Sequence, residues 1–427
     1  MSSMFLIDDD QPARASDFPV TAGFIPLVDC APLLVAAKKG FARAEGLRLT
    51  LARETSWANI RDRVSVGHFN AAHMLGPMPI AASLGIGHFD IPMIAPFAFG
   101  LGGNAITVSR RLFAEMEAEG ASLDAAPAAM GSALKAAIVA RKRRAAPMLT
   151  MAMVFPFSGH NYELRYWLAA SGIDPDRDLR LVVLPPPFTA EALQAGHVDG
   201  FCVGEPWNSL AVERAGGVIV ATKAALWHNG PEKVLGVQTA FAEREPDAVA
   251  ALVRALWRAT AWAEAPENLI ELAALLADTA SVATPAPVIT RALSGEIITR
   301  AGTPANHVED FIVFHRHGAN FPWQSHALWF YSQMVRWGQT EHSPERAKIA
   351  AEVYRPDIYR EALAATGVDS PLADRKVEGA MATATGVVSR LGEMTFGPDP
   401  FFDGLHFDPA DLEGYLRQMS IRTWPPK

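Results

Sequence analysis

Cysteine is nearly absent: Cys30 and Cys202 are the only two in 427 residues. Two thiols so far apart in sequence make no disulfide scaffold, and no C-x-x-C spacing offers a zinc site. Basic residues are in deficit, with 38 Lys and Arg against 46 Asp and Glu and a net charge of −8. Such a chain has no global attraction for nucleic acid, so any anion it binds must be captured by local donors. No apolar run reaches the length of a membrane-spanning helix. There is no G-x-x-x-x-G-K-[ST], no G-x-G-x-x-G after an expected strand, no G-x-S-x-G and no H-E-x-x-H. Nucleotide, dinucleotide, serine-hydrolase and zinc-protease chemistry are thus left without a signature. No cofactor or metal is expected, and an enzyme has little to recommend it. The opening MSSMFLIDDDQPARASDFPV holds one short apolar stretch, Met4 to Ile7, closed by Asp8, Asp9 and Asp10. A secretory leader needs a basic start and a longer apolar run. The expectation is a flexible acidic arm over residues 1–19 and a cytoplasmic protein.

What the chain does have is apolar material, 50% of its residues, enough to bury the cores of two or three domain-sized units. The segment from Val20 predicts strand, helix and strand. Phe24 to Val28 is a short apolar run, Pro32 suits the first turn of a helix reaching about Lys39, and Leu47, Leu49 and Leu51 alternate as in a half-buried strand. Thr55 or Ser56 can cap a helix through Ile60 and Val64. FNAAHML, IPMIAPFAF, AITVS, MLTMAMVF, LRLVVLPP and GFCVG predict further strands, HNYELRYWLAASG a helix ended by Gly172, and the chain beyond residue 243 is mainly helical. Alternation of this kind predicts an α/β fold of two lobes with a ligand crevice outside the carboxyl ends of strands. The basic run Arg141 to Arg144 suits a solvated helix end.

The strand-end loops are therefore the candidates. Trp57 starts a helix, where it either faces an anion with its indole N–H or packs under the surface. Asn104 follows Gly102 and Gly103, as a ligand contact or a polar turn residue. His160 opens a helix after Gly159 and could add a side-chain donor to free backbone N–H groups. Lys233 offers one compact charge or is a surface lysine. Gly204–Glu205 precede Pro206–Trp207, and Glu205, like Asp29, either orients donors or makes a structural ion pair. His315-x-His317, with His326 nearby, suits an aromatic structural segment better than a metal.

The stretches GFIPLVDCAPLLVAAKKGF, ETSWANIRDRVSVG, AAHMLGPMPIAASLG, LRYWLAASGIDPD, GFCVGEPWNS and FPWQSHALWF resemble, in collinear order over residues 20–340, the nitrate/bicarbonate-binding proteins of bacterial ABC transporters. The resemblance implies the two-lobed periplasmic-binding-protein-like fold (type II), with lobe I from 20–107 and 237–427 and lobe II from 108–236. It implies ligand contacts at Trp57, Gly159, His160, Gly204, Glu205 and Lys233, with Asn104 where transporter members carry Gln. The expected ligand bridges Trp57 and Asn104 of lobe I to His160 and Lys233 of lobe II. Bicarbonate has an O–H and favours a carboxylate acceptor, so the lysine favours nitrate or nitrite, which only accept. Lacking a leader, the chain looks most like the cytoplasmic nitrate/nitrite sensor (NasS-type) branch. That branch implies sequestration of a response-regulator-type RNA-binding antiterminator and its release on ligand binding, with no direct nucleic-acid or membrane contact. The alternative is the substrate-binding component of a nitrate/nitrite transporter. An enzyme of the thiamin-pyrimidine synthase type ranks last, since it would need a cysteine-rich motif.

Overall fold

The computed structural model describes residues 6–7, 14, 16–87 and 91–423. The other residues of the expected N-terminal arm lie outside that range. Leu6–Ile7, however, pair with Leu51 and Ala52, and the first long strand starts at Phe18, ahead of the Val20 expected. Ile7 is buried in the core of the first lobe, so its two-residue strand is held by apolar contact rather than by length.

Two sheets organise the chain. The first has the strand order Leu6–Ile7, Leu47–Arg53, Phe18–Phe24, Ala71–Leu75, Lys233–Gln238, Met93–Ile94. Its centre is parallel, Phe18–Phe24 lying between Leu47–Arg53 and Ala71–Leu75. The second has the order Val218–Thr222, Asn104–Val108, Gly200–Gly204, Thr150–Met153, Arg180–Val183. Asn104–Val108 runs antiparallel to both its neighbours. The passages between sheets thus fall before Asn104 and between Thr222 and Lys233. Asn104 therefore lies in the second lobe and Lys233 in the first, the reverse of the lobes expected for each.

Local chemistry accounts for the elements that aim the strand ends. Ser56 Oγ accepts from the amide of Asn59 and starts helix Trp57–Ser65. Ser158 Oγ accepts from the amide of Asn161 and starts helix Gly159–Ala170. Both use a short side-chain oxygen to satisfy a donor that the first turn leaves free. IPMIAPFAF yields only the strand Met93–Ile94, with isolated bridges at Ala95 and Ala98. Pro92 and Pro96 carry no N–H and cannot sustain a ladder. The Arg141–Arg144 run ends helix Pro127–Arg143, with Arg141 and Arg144 both paired to Glu115.

The region after residue 340 does not belong to one lobe. Ala95 pairs with Tyr354 and accepts from the amide of Arg355 on the first-lobe side. Phe401 stacks on Trp227 at 4.5 Å and lies 5.7 Å from Tyr166 in the second lobe. Trp329 of helix Gln324–Arg336 joins the same aromatic group, 4.7 Å from Trp227. The C-terminal third is a strap across both lobes. His315 meets Thr260 and the Trp257 ring while His317 meets Asp310, so the two face different partners.

Candidate functional site

Strand ends and helix starts from both lobes meet at one buried seam. From the first lobe come Asp29 in the turn Val28–Cys30, Trp57 at the start of its helix, His73 within strand Ala71–Leu75, and Glu232–Lys233 entering strand Lys233–Gln238. From the second come Asn104 at the start of its strand, Gly159, His160 and Glu163 on one helix, Gly204 at the end of strand Gly200–Gly204, and Lys223 opening the short helix Lys223–Leu226.

Glu232 is the centre. Its Oε1 accepts from Lys233 Nζ at 2.7 Å, and its Oε2 accepts from Asn104 Nδ2 at 2.6 Å and Lys223 Nζ at 3.1 Å. Lys233 Nζ also donates to Asp29 Oδ2 at 2.8 Å and lies 5.7 Å from the Trp57 ring. Lys223 Nζ donates to Glu163 Oε1 and to the carbonyl of Pro231, each at 2.5 Å. Both lysines are 1% exposed, so neither is the surface lysine that sequence alone allowed.

Burial opposes every charge here, and the partners decide which charges survive. It pushes Asp29 up, but Lys233 and His73 outweigh it and hold the carboxyl at about 2. It pushes Glu232 up too, and the Lys233 and Lys223 ammonium groups bring it well below the usual range. Both lysines are raised, since Asp29 and Glu232 around one and Glu163 and Glu232 around the other exceed the cost of burial. His160 is driven down to about 3 by burial and is neutral near pH 7. Glu163 stays raised, because burial and the neighbouring Glu232 exceed what Lys223 offsets.

Several polar atoms in the seam have no hydrogen-bond partner: Trp57 Nε1, both ring nitrogens of His160 and Asn104 Oδ1. His160 Nδ1 sits 3.5 Å from Glu232 Oε1, close but without hydrogen-bond alignment. Gly204 leaves the gap between them. A Cβ there would stand 3.3 Å from Asn104 Oδ1 and 3.7 Å from His160 Nε2. Buried polar groups are normally paired, so this set is the candidate for contact with a small ligand. Asn104 faces the gap with oxygen rather than with the donor expected of it. Both its N–H groups are spent on Glu163 and Glu232.

Six of the seven expected residues converge: Trp57, Asn104, Gly159, His160, Gly204 and Lys233. The seventh, Glu205, is present by its backbone, whose carbonyl accepts from the Val28 amide across the seam at 2.8 Å. Its carboxylate turns instead to the start of helix Trp207–Ala215 and accepts from the Ser209 amide, and burial pushes it up to about 7. Asp29 resolves as a partner of Lys233. His73, Glu163, Lys223 and Glu232 were not singled out from the sequence. Glu163 lies one turn beyond His160 on the same helical face, and Lys223 ends the apolar run VIVAT. Those signals were available but have no meaning without the opposing lobe.

Gly159 sets the spacing across the seam. An added Cβ would fall 2.4 Å from Glu232 Oε2 and 3.2 Å from Glu163 Oε1. Gly159→Ala is expected to lose about 1–3 kcal/mol through overpacking and to lose ligand-induced stabilisation. Thermal unfolding with and without ligand checks this, and a variant that keeps both would remove Gly159 from the seam.

Residues 13–277 match the model of the NMT1-like family. The chain is 34% identical over 415 residues to the nitrate/nitrite binding protein NrtA of Synechococcus elongatus, covering 95% of this chain and 86% of that one. It is 32% identical over 405 residues to the bicarbonate transport ATP-binding protein CmpC of the same species, covering 93% of this chain but only 54% of that longer protein. The crystal structure of the periplasmic nitrate-binding protein NrtA from Synechocystis superposes with a TM-score of 0.82 at 27% identity, covering 95% of this chain and 99% of the other.

Proposed function

Because the chain belongs to the NMT1-like family and to the nitrate/bicarbonate substrate-binding proteins of ABC transporters, with their two-lobed fold, we propose that it binds a small planar oxyanion, nitrate or nitrite, at the seam. We propose further that it serves as the substrate-binding component of a transporter. The observation that carries the binding reading is the lysine-centred cluster with unpaired Trp57 and His160 nitrogens beside the Gly204 gap. Nitrate accepts only. The indole N–H, one imidazole N–H, the remaining Lys233 hydrogen and the first amides of helix Gly159–Ala170 are donors of the right kind.

The transporter role has more support than the cytoplasmic sensor expected from the sequence. The relatives carry transport names, and nothing in the described residues speaks for an antiterminator partner. The proposed partner is accordingly a membrane permease, and cell fractionation decides the compartment. Recovery in the cytoplasm with an antiterminator attached would restore the sensor.

A thermal-shift panel of nitrate, nitrite, bicarbonate and an alkanesulfonate tests the binding reading. Ligand at a hundredfold its Kd adds about 2.7 kcal/mol to folding stability, so nitrate or nitrite should raise the Tm by several degrees. Bicarbonate belongs in the panel because the Asn104 oxygen would accept its O–H. A panel with no shift at all overturns the proposal.

A further inference from the structure

Glu163 and Lys223 have no role in the binding reading so far, yet both are buried in its centre. The cluster contains three carboxylates, Asp29, Glu163 and Glu232, and two lysines, Lys223 and Lys233. Its two histidines, His73 and His160, are pushed toward the neutral form by burial. The next cation on the same helix, Arg165, is committed to Asp176 at 2.8 Å on the far side. With all three carboxylates ionised, the empty cluster carries one negative charge in excess. A monoanion seated beside Lys233 adds a second, where little water remains to screen it.

The two carboxylates held by Lys223 are not equivalent. Glu163 and Glu232 share the same Asn104 amide, at 3.1 and 2.6 Å, and the same Lys223 ammonium, at 2.5 and 3.1 Å. Glu232 has Lys233 as well, at 2.7 Å. Among the described residues, Glu163 has only the shared cation. Two carboxylates competing for one ammonium cannot both remain ionised when more negative charge arrives, and the one with fewer partners gives way. The other groups around Glu163 do not change this. The Cys202 thiol beneath it is held neutral by burial, His160 lies one turn earlier on the same helix, Lys233 and Asp29 lie beyond Glu232, and the Tyr354 hydroxyl near Glu232 is pushed up by burial.

We propose that the site takes up one proton with each anion it binds, and that Glu163, held beside Glu232 by Lys223 and Asn104, receives it. The inference rests on the oxyanion reading above. The proton comes from solvent and stays on a Glu163 carboxyl oxygen, so anion and proton enter together and the net charge of the cluster is unchanged. Affinity then falls as pH rises, by up to tenfold per unit, wherever Glu163 is ionised in the empty site and protonated in the filled one.

Isothermal titration with nitrate near pH 7 in bis-Tris, imidazole and Tris reads the proton directly. The observed enthalpy plotted against buffer ionisation enthalpy has a slope equal to the protons taken up. A slope near one is expected for the wild type, with affinity falling as pH rises. Glu163→Gln should bring the slope to near zero and flatten the pH profile. Binding with zero slope in the wild type overturns the inference, and it needs no variant. A slope that persists in Glu163→Gln overturns the assignment to Glu163. A chain giving neither heat nor thermal shift with any oxyanion overturns the binding reading itself, and this inference with it.

Discussion

Lys233→Ala is expected to lose about 3–5 kcal/mol of folding stability before any ligand is added, the usual cost of leaving a buried charge unpaired. Lys233 is 1% exposed and its ammonium holds both Asp29 and Glu232. Removing it leaves Asp29 with His73 alone and Glu232 with Asn104 and Lys223, one cation short in a buried seam. Read as a loop lysine, the same substitution would spare the empty protein and abolish only the response to nitrate. Buried between two acids, it affects both. Chemical denaturation of the ligand-free variant separates the two cases, and an unchanged midpoint would return Lys233 to the surface. Adding Glu232→Gln to Lys233→Ala should restore part of the loss by removing one stranded charge. The acid limb should move as well. Asp29, which burial raises and Lys233 and His73 bring down to about 2 from 3.8, contributes stability that is present above 3.8 and lost as pH falls through about 2. Without Lys233 that loss should begin at higher pH.

Trp57→Ala is the second large effect, about 3–5 kcal/mol from a cavity that the seam cannot close. Trp57 is 1% exposed, packs 5.6 Å from His73 in a tilted pair and belongs to the larger core cluster. The residue is therefore a packing residue, and its unpaired indole N–H also makes it a candidate ligand donor. Trp57→Phe divides the roles. It keeps an aromatic ring in place, leaves a smaller cavity than alanine would and deletes the N–H. Weakened nitrate stabilisation in Trp57→Phe, with the ligand-free Tm near that of the wild type, supports the donor role. Equal ligand response in Trp57→Phe and the wild type would leave only packing.

The strap formed by the C-terminal third bears on how the seam opens. Tyr354 is tied to the first lobe while Phe401 stacks with Trp227 and Tyr166 of the second. Any movement that admits ligand must flex around this aromatic group, because apolar contacts of that kind are not exchanged for water at low cost. Large separation of the lobes is opposed by the strap, and the short Val28–Glu205 backbone link spans the same seam.

The site was legible in sequence to the extent that its signals were local. Ser56 announces a helix start, His160 opens another after Gly159, Gly102 and Gly103 announce close approach, and the stretches around Trp57, His160 and Lys233 carry the family's residues in order. What each of those residues does was not legible. Asn104 reads as a donor in a strand-end loop, but Glu163 and Glu232 occupy its N–H groups and turn its oxygen to the Gly204 gap. Glu205 reads as a site carboxylate, but its side chain serves its own helix. Even the lobes of Asn104 and Lys233 were exchanged, since strand boundaries a few residues wide decide which sheet a residue joins.

By itself the sequence determined the alternation of strands and helices, a helix cap at Ser56, and the family. The elements follow from patterning and interactions within a few residues, and the family from the resemblance of collinear stretches. Only the tertiary structure decided that three carboxylates and two lysines share one buried seam. Lys233 and Asp29 stand 204 residues apart in sequence and 2.8 Å apart in space. A charge takes its meaning from what surrounds it, and here the surroundings come from two lobes that no local pattern brings together.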